Sequence, residues 1–161
     1  MRIFIDADSC PQLKNAEEIA EHFKIQCIAV FNFTNDIHLT YAEPVLVPSR
    51  PDSVDNEICR MVAIGDIVVT ADNKLTRRCL EKGAVVFHPV GMVYPEQVMH
   101  TLMNVSYDNF FKESANAFTN NLKNLNHGHS QWQHRKRVFS ARLIVYLRNI
   151  QNSASEEKTV P

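Results

Sequence analysis

The chain has 161 residues, 45% of them hydrophobic and 22% charged, with a formal net charge of −1. These totals suit one globular domain with a core of ordinary size. They exclude a strong overall field that draws nucleic acid, so any such surface must be a local patch. No apolar run approaches the roughly 18 residues that a membrane span needs, so no membrane partner is expected.

The first residues, MRIFIDAD, start a strand at once and contain no signal-peptide apolar region. Cys10, Cys27, Cys59 and Cys79 form no C-x-x-C pair, so zinc ligation is not expected. Reduced thiols in a cytoplasmic protein are the simplest reading. Cys59 and Cys79 sit among apolar neighbours and read as core.

Arg2 to Ile5 is a short β-rich run that ends at Asp6. Pro11 opens a helical stretch, with Leu13, Ala16, Ile19, Ala20 and Phe23 on one face and Glu17, Glu18, Glu21 and His22 on the other. Ile25 to Phe31 and Val45 to Val47 read as strands. Residues 52–63 read as a helix ended by Gly65, with Val54, Ile58, Met61 and Val62 inward. Ile67 to Val69 is a continuous apolar strand running on into Thr70, Ala71 and Asp72, as in strands buried on both faces. A third helix points Leu75, Cys79 and Leu80 in and Lys74, Arg77 and Arg78 out, with Gly83 as its C-cap. Val85 to Phe87 is the next strand, ended by the turn residues from His88 to Gly91.

This order, β-α-β-loop-β-α-β-α-β, predicts an α/β fold: a parallel sheet with helices on both faces, plus C-terminal helices. Val98, Met99, Leu102 and Met103 suggest a helix. Residues 119–129 read as a loop, and residues 133–150 as a final helix with Val138, Phe139, Leu143, Ile144 and Leu147 apolar. A single domain over 1–150 is expected, its helical C-terminal part covering about 95–150, with 151–161 a polar, disordered tail.

In an open parallel sheet, ligands bind beyond the carboxyl ends of the strands. That rule gathers Asp6, Asp8, Asp52, Asp55 and Asp72 at one edge and sends Asp66, which opens its strand, to the other. Two carboxylates about 4 Å apart repel by roughly 4 kcal/mol at an effective dielectric near 20. Oxygen-only ligands suit a hard cation, so Mg²⁺ or Mn²⁺ is the expected cofactor. The competing reading is helix capping: Asp8 or Ser9 for the first helix, Asp52 or Ser53 for the second, Asp72 for the third. Asp6 fits capping least, because it ends an apolar strand with no helix starting there.

Arg50, Lys74, Arg77 and Arg78 lie close by in sequence and can hold phosphates without reading bases. The competing reading is a solvated helix face. A second basic stretch, His134 to Arg137 preceded by Trp132, has the make-up of a single-strand stacking surface or of a solvated run. His127 and His129 are spaced like metal ligands but are read as surface.

The motifs FIDADSCP, PDSVDNEI, GDIVVTADNKL and the EKGA…HPVG…Y run, in that order over roughly residues 1–110, resemble the YaiI/YqxD family, uncharacterised bacterial proteins related to PIN and NYN nuclease domains. The resemblance implies a PIN-like three-layer sandwich and an acidic metal pocket. Position by position, the matching acids are Asp6 and Asp8 in D-A-D, Asp52 and Asp55 in D-x-x-D-N, and Asp72 in T-A-D, with Asn56 and Thr70 in the same motifs. The chain departs at Ser9 and at Asn73-Lys74, and it lacks the Gly-Gly-Pro segment before the last helix.

The leading expectation is a metal-dependent nuclease or phosphodiesterase acting on RNA or DNA, with RNA or single-stranded nucleic acid as the expected partner. Asp6, Asp55 and Asp72 would be its catalytic centre, and Asp8 and Asp52 would hold a second ion or orient the water. One alternative is a phosphatase of the haloacid dehalogenase kind, with Asp6 as nucleophile and Asp8 as acid/base. The other is a binding module for metal or nucleic acid without catalysis.

Overall fold

The computed structural model describes residues 1–32, 37–98 and 130–156, with the side chains of 135–154 in the last segment. The elements are β1 (Ile3–Asp6), α1 (Leu13–Phe23), β2 (Cys27–Asn32), β3 (Glu43–Val47), α2 (Ser53–Met61), β4 (Ile67–Val69), α3 (Asn73–Glu81), β5 (Val85–Phe87), β6 (Val93–Tyr94) and α4 (Ser130–Glu156).

Six strands form one sheet in the order β3-β2-β1-β4-β5-β6. The first five run parallel. β6 is antiparallel to β5, a correction to the all-parallel expectation. It pairs only Val93 and Tyr94, too short a run for period or propensity to show. β1 lies between β2 and β4, so the chain order reverses at the β1/β4 boundary. Such a switch point opens a crevice at the carboxyl ends of the strands.

Alternation along the strands divides the core. Ile3 and Ile5 pack with Ala16, Ile19 and Phe23 of α1 and with Phe139, Leu143 and Leu147 of α4. Phe4, Val68 and Val86 belong to a second cluster with Ile58 and Cys59 of α2 and Leu75 and Cys79 of α3. All four cysteines are free and buried. Burial pushes the thiols of Cys10, Cys27 and Cys79 up to about 12, so they stay protonated and unreactive.

Several sequence expectations need correction. Glu17 is not on a solvent face; it is 1% exposed. Its Oε1 accepts the backbone N–H groups of Thr40, Tyr41 and Ala42, each at 2.9 Å, and Oε2 accepts the Thr40 hydroxyl. A buried charge is tolerated when charge-assisted hydrogen bonds surround it. Asn15 is buried too and bonds Ser140, tying α1 to α4. Gly65 does not end α2, whose C-cap is Val62 in extended conformation. α4 runs to Glu156, taking in residues 151–156 that polarity assigned to the tail. No glycine or proline interrupts that stretch, and a solvated helix end needs no apolar face. The expected helix beyond Val98, the loop of residues 119–129 and the last five residues lie outside the described residues. No helix among the described residues is long and apolar enough to cross a membrane.

Candidate functional site

β1 and β4 end side by side, and their ends carry Asp6, Thr70 and, two residues on, Asp72. Asp6 is 4% exposed and Thr70 is fully buried. Oδ2 of Asp6 accepts the Thr70 hydroxyl at 2.8 Å and also the Ser9 hydroxyl. The Thr70 oxygen in turn accepts the backbone N–H of Asp72 at 3.0 Å. Both hydroxyls converge on one oxygen, and Oδ1 of Asp6 receives no donor among the described residues. Burial pushes the Asp6 carboxyl up, the two hydroxyl bonds oppose this, and the charges of Asp8 and Asp72 push it further up; the result is a raised pKa.

Asp72 is the N-cap of α3, and its Oδ1 accepts the Leu75 N–H at 2.7 Å. The capping reading therefore holds for this residue, and its Oδ2 is left without a donor among the described residues. Asp55, in the first turn of α2, is half-buried and has no hydrogen-bond donor among the described residues. Burial and the charges of Asp72, Asp6 and Asp52 raise its pKa, with Arg78 pulling the other way. Asp6, Asp55 and Asp72 thus lie near enough to feel one another's charge.

The other two acids are engaged. Asp8 is exposed, and its Oδ2 accepts the backbone and side-chain N–H groups of Asn32 at the end of β2. Neither Asp8 nor Ser9 caps α1, whose N-cap Gln12 makes no side-chain cap bond. Asp52 occupies the N-cap position of α2 but in a left-handed conformation, φ 58°, and makes no cap bond. Its carboxylate instead pairs with Lys74 at 2.9 Å. Asp66 lies at the opposite edge, as its place in the strand predicts. It pairs with the Arg2 guanidinium at 2.7 Å and accepts the N–H groups of Arg2 and Ala63.

Among the basic residues, Lys74 is held by Asp52 and Arg78 by Asn56 Oδ1 at 3.0 Å. Arg78 is half-buried rather than fully outward, a correction to its expected exposure; it leans across to α2 to reach that amide. Arg50 and Arg77 are exposed. Trp132 and His134 have no described side chains, while Arg135 and Arg137 are exposed on α4. His127 and His129 lie outside the described residues.

Asp6 and Asp72, where β1 and β4 end, and Asp55, in the first turn of α2, keep undonated oxygens, hard ligands of the kind that suit a divalent cation that keeps several waters. Among the described residues, no group of three or more His, Cys, Asp or Glu side chains stands close enough to hold a metal ion directly. The fit is therefore to a hydrated ion bound through one or two carboxylates, the habit of Mg²⁺. Sequence reasoning did not single out Ser9 and Thr70 as donors to Asp6. The Ser three residues after Asp6, and the Thr two before Asp72, are the local signals for them.

Fold and crevice thus define a mostly parallel α/β protein with a carboxylate cluster at its switch point. The chain belongs to the YaiI/YqxD family: the family model described as "Uncharacterized BCR, YaiI/YqxD family" matches residues 4–132. Relatives include a UPF0178 protein of Natranaerobius thermophilus, 34% identical over 103 residues, covering 64% of this chain and 70% of its own. A UPF0178 protein of Listeria monocytogenes serotype 4b is 28% identical over 149 residues, 92% of this chain and 98% of its own. A solved structure, a mutant of Rae1 (YacP) from Bacillus subtilis, aligns over 93% of this chain and 99% of its own at TM-score 0.45 and 11% identity. At that score the likeness is too loose to bear on fold or function.

Proposed function

We propose that this protein is a metal-dependent phosphodiesterase of PIN-like type that cleaves nucleic acid at the β1/β4 crevice, with Asp6, Asp55 and Asp72 as its centre. The observation that carries this reading is the division among the acids. Asp8 and Asp52 are satisfied by Asn32 and Lys74, whereas Asp6, Asp55 and Asp72 keep oxygens without donors. Of the three only Asp6 is buried, and its bare oxygen is costly unless a proton or a cation completes it; Asp55 is half-buried and Asp72 exposed. The core clusters on the two faces of the sheet, one with α1 and α4 and one with α2 and α3, support a three-layer reading.

Mg²⁺ or Mn²⁺ bound there would supply positive charge to a phosphoryl oxygen and acidify a water for attack. Asp6 would hold the ion from the crevice floor, its orientation set by Thr70 and Ser9. Asp72, fixed by its cap bond to Leu75, would present Oδ2 to the same ion. Asp55, with no donor of its own, would accept a proton from the attacking water or share the ion. In this reading Asp8 and Asp52 serve the rim. The phosphatase alternative fits less well: its nucleophile would be a carboxylate only 4% exposed, and its acid/base would be turned toward Asn32.

The test is hydrolysis of a labelled RNA and a labelled single-stranded DNA in Mn²⁺ and in EDTA, by the wild-type chain and Asp6→Asn. Cleavage that needs both Mn²⁺ and Asp6 is expected. Cleavage unchanged in Asp6→Asn rejects the centre. Metal-dependent stabilisation with no cleavage of either substrate leaves the binding module as the function.

A further inference from the structure

Lys74 and Arg78 sit four residues apart on α3, so they share a face and are about 6 Å apart along its axis. Their partners, Asp52 and Asn56, are also four residues apart at the start of α2. The two bonds form parallel rungs between the helices, and Asp55 lies between the residues that anchor them. Both cations are therefore held beside the carboxylate crevice.

The rungs differ in charge. Arg78 is held by a neutral amide and forms no ion pair among the described residues, so its charge is intact. A guanidinium so held keeps further N–H groups, in a planar fork that matches a phosphate. Lys74 is paired, but in the open: its side chain is 62% exposed and that of Asp52 48%. An exposed pair of this kind contributes little stability and exchanges easily for another anion. Asp52 also forgoes capping its own helix and takes a left-handed backbone to reach Lys74. A residue that breaks local rules for so weak a return marks a functional position more often than a structural one.

We propose that Lys74 and Arg78 form a strip that takes two neighbouring phosphates of one nucleic-acid strand, guiding it past the Asp6–Asp55–Asp72 crevice. This rests on the phosphodiesterase reading and sharpens it: the substrate is a polynucleotide strand with phosphates beyond the one attacked, not a phosphomonoester or a mononucleotide. Spacing of about 6 Å suits consecutive backbone phosphates, and contacts of this type carry no base preference. Arg50 and Arg77 are exposed and make no side-chain hydrogen bond among the described residues.

The test is fluorescence anisotropy with a short fluorescein-labelled oligouridylate across a series of KCl concentrations in EDTA. It compares the wild type, Lys74→Gln, Arg78→Gln, the double variant, Asp52→Asn, and an Arg135→Gln/Arg137→Gln control on α4. The logarithm of the binding constant falls with the logarithm of salt, by about 0.7 in slope for each single-strand phosphate neutralised. The double variant should lose about 1.4 of slope and each single variant about half of that. Asp52→Asn, which frees Lys74, should bind more tightly than the wild type. The inference is overturned by no binding in the wild type, by an unchanged slope in the double variant, or by a loss confined to the α4 control. Because EDTA removes metal-dependent cleavage, these outcomes are separate from failure of the hydrolysis assay.

Discussion

Thr70 donates its hydroxyl to Oδ2 of Asp6 at 2.8 Å across the β1/β4 boundary, and the Thr70 hydroxyl oxygen accepts the N–H of Asp72 at 3.0 Å. One fully buried side chain thus ties together two of the acids. Thr70→Val keeps the shape but removes both roles, leaving Asp6 one donor poorer and a backbone N–H unsatisfied. We expect a loss of about 1–3 kcal/mol of folding stability by urea unfolding, the usual cost for such groups. Thr70→Ser should recover most of it. A loss in Thr70→Ser but not in Thr70→Val would show that the methyl packing, not the hydroxyl, matters.

Asp6 should cost the metal-free protein stability. Burial and the charges of Asp8 and Asp72 raise its pKa above the ordinary 3.8. The folded state then holds the proton more tightly than the unfolded one. Stability falls as pH rises through the folded pKa, and the penalty is absent below 3.8. Asp6→Asn should therefore melt higher than the wild type in EDTA at neutral pH. About 1 kcal/mol corresponds to roughly 2–4 °C in a domain of this size. A lower melting temperature would mean that the hydroxyl bonds outweigh burial.

Asp66 should act with the opposite sign. Burial raises its pKa, but bonds from the Arg2 side chain and from the Ala63 and Arg2 N–H groups outweigh it and hold the carboxyl below 3.8. Its contribution is complete above 3.8 and is lost as pH falls through the lower folded value. An acid titration of melting temperature should show this limb in the wild type and lose it in Asp66→Asn. An identical acid limb in both chains would contradict the assignment.

Glu17 holds the segment that leads into β3. Glu17→Ala removes the acceptor for three backbone N–H groups at once. A loss of about 2–4 kcal/mol is expected, because each donor left unsatisfied and buried costs about 1–3 kcal/mol and these are only partly covered. Glu17→Gln, which keeps one acceptor oxygen, should fall between. Denaturant unfolding of both variants decides it, and a neutral Glu17→Ala would show that solvent replaces the carboxylate.

The parts that follow from local pattern were legible in the sequence. Ile67–Val69 and Val85–Phe87 match their expected bounds, because strands buried on both faces are continuous apolar runs with abrupt ends. The edge on which each Asp lies followed from strand polarity, including the separation of Asp66. What was not legible depends on contacts between residues far apart in the chain. Asp52 meets Lys74 across 22 positions, and Glu17 meets residues 23 to 25 positions away. A helical wheel marks Glu17 as polar and so as solvent-facing; only the returning segment at Thr40 supplies its donors. The same limit hid which of the acids keep bare oxygens.

The central claim is that a hydrated divalent cation binds at Asp6, through one or two carboxylates of the set Asp6, Asp55 and Asp72. It is tested most directly by the melting temperature of the wild type and Asp6→Asn across a Mn²⁺ titration that starts from metal-free protein. At a hundredfold excess over its dissociation constant, a bound ion adds about 2.7 kcal/mol, or roughly 5–11 °C at this size. We predict a saturating rise in the wild type that Asp6→Asn loses. A flat wild-type curve, or the same rise in Asp6→Asn, would contradict it.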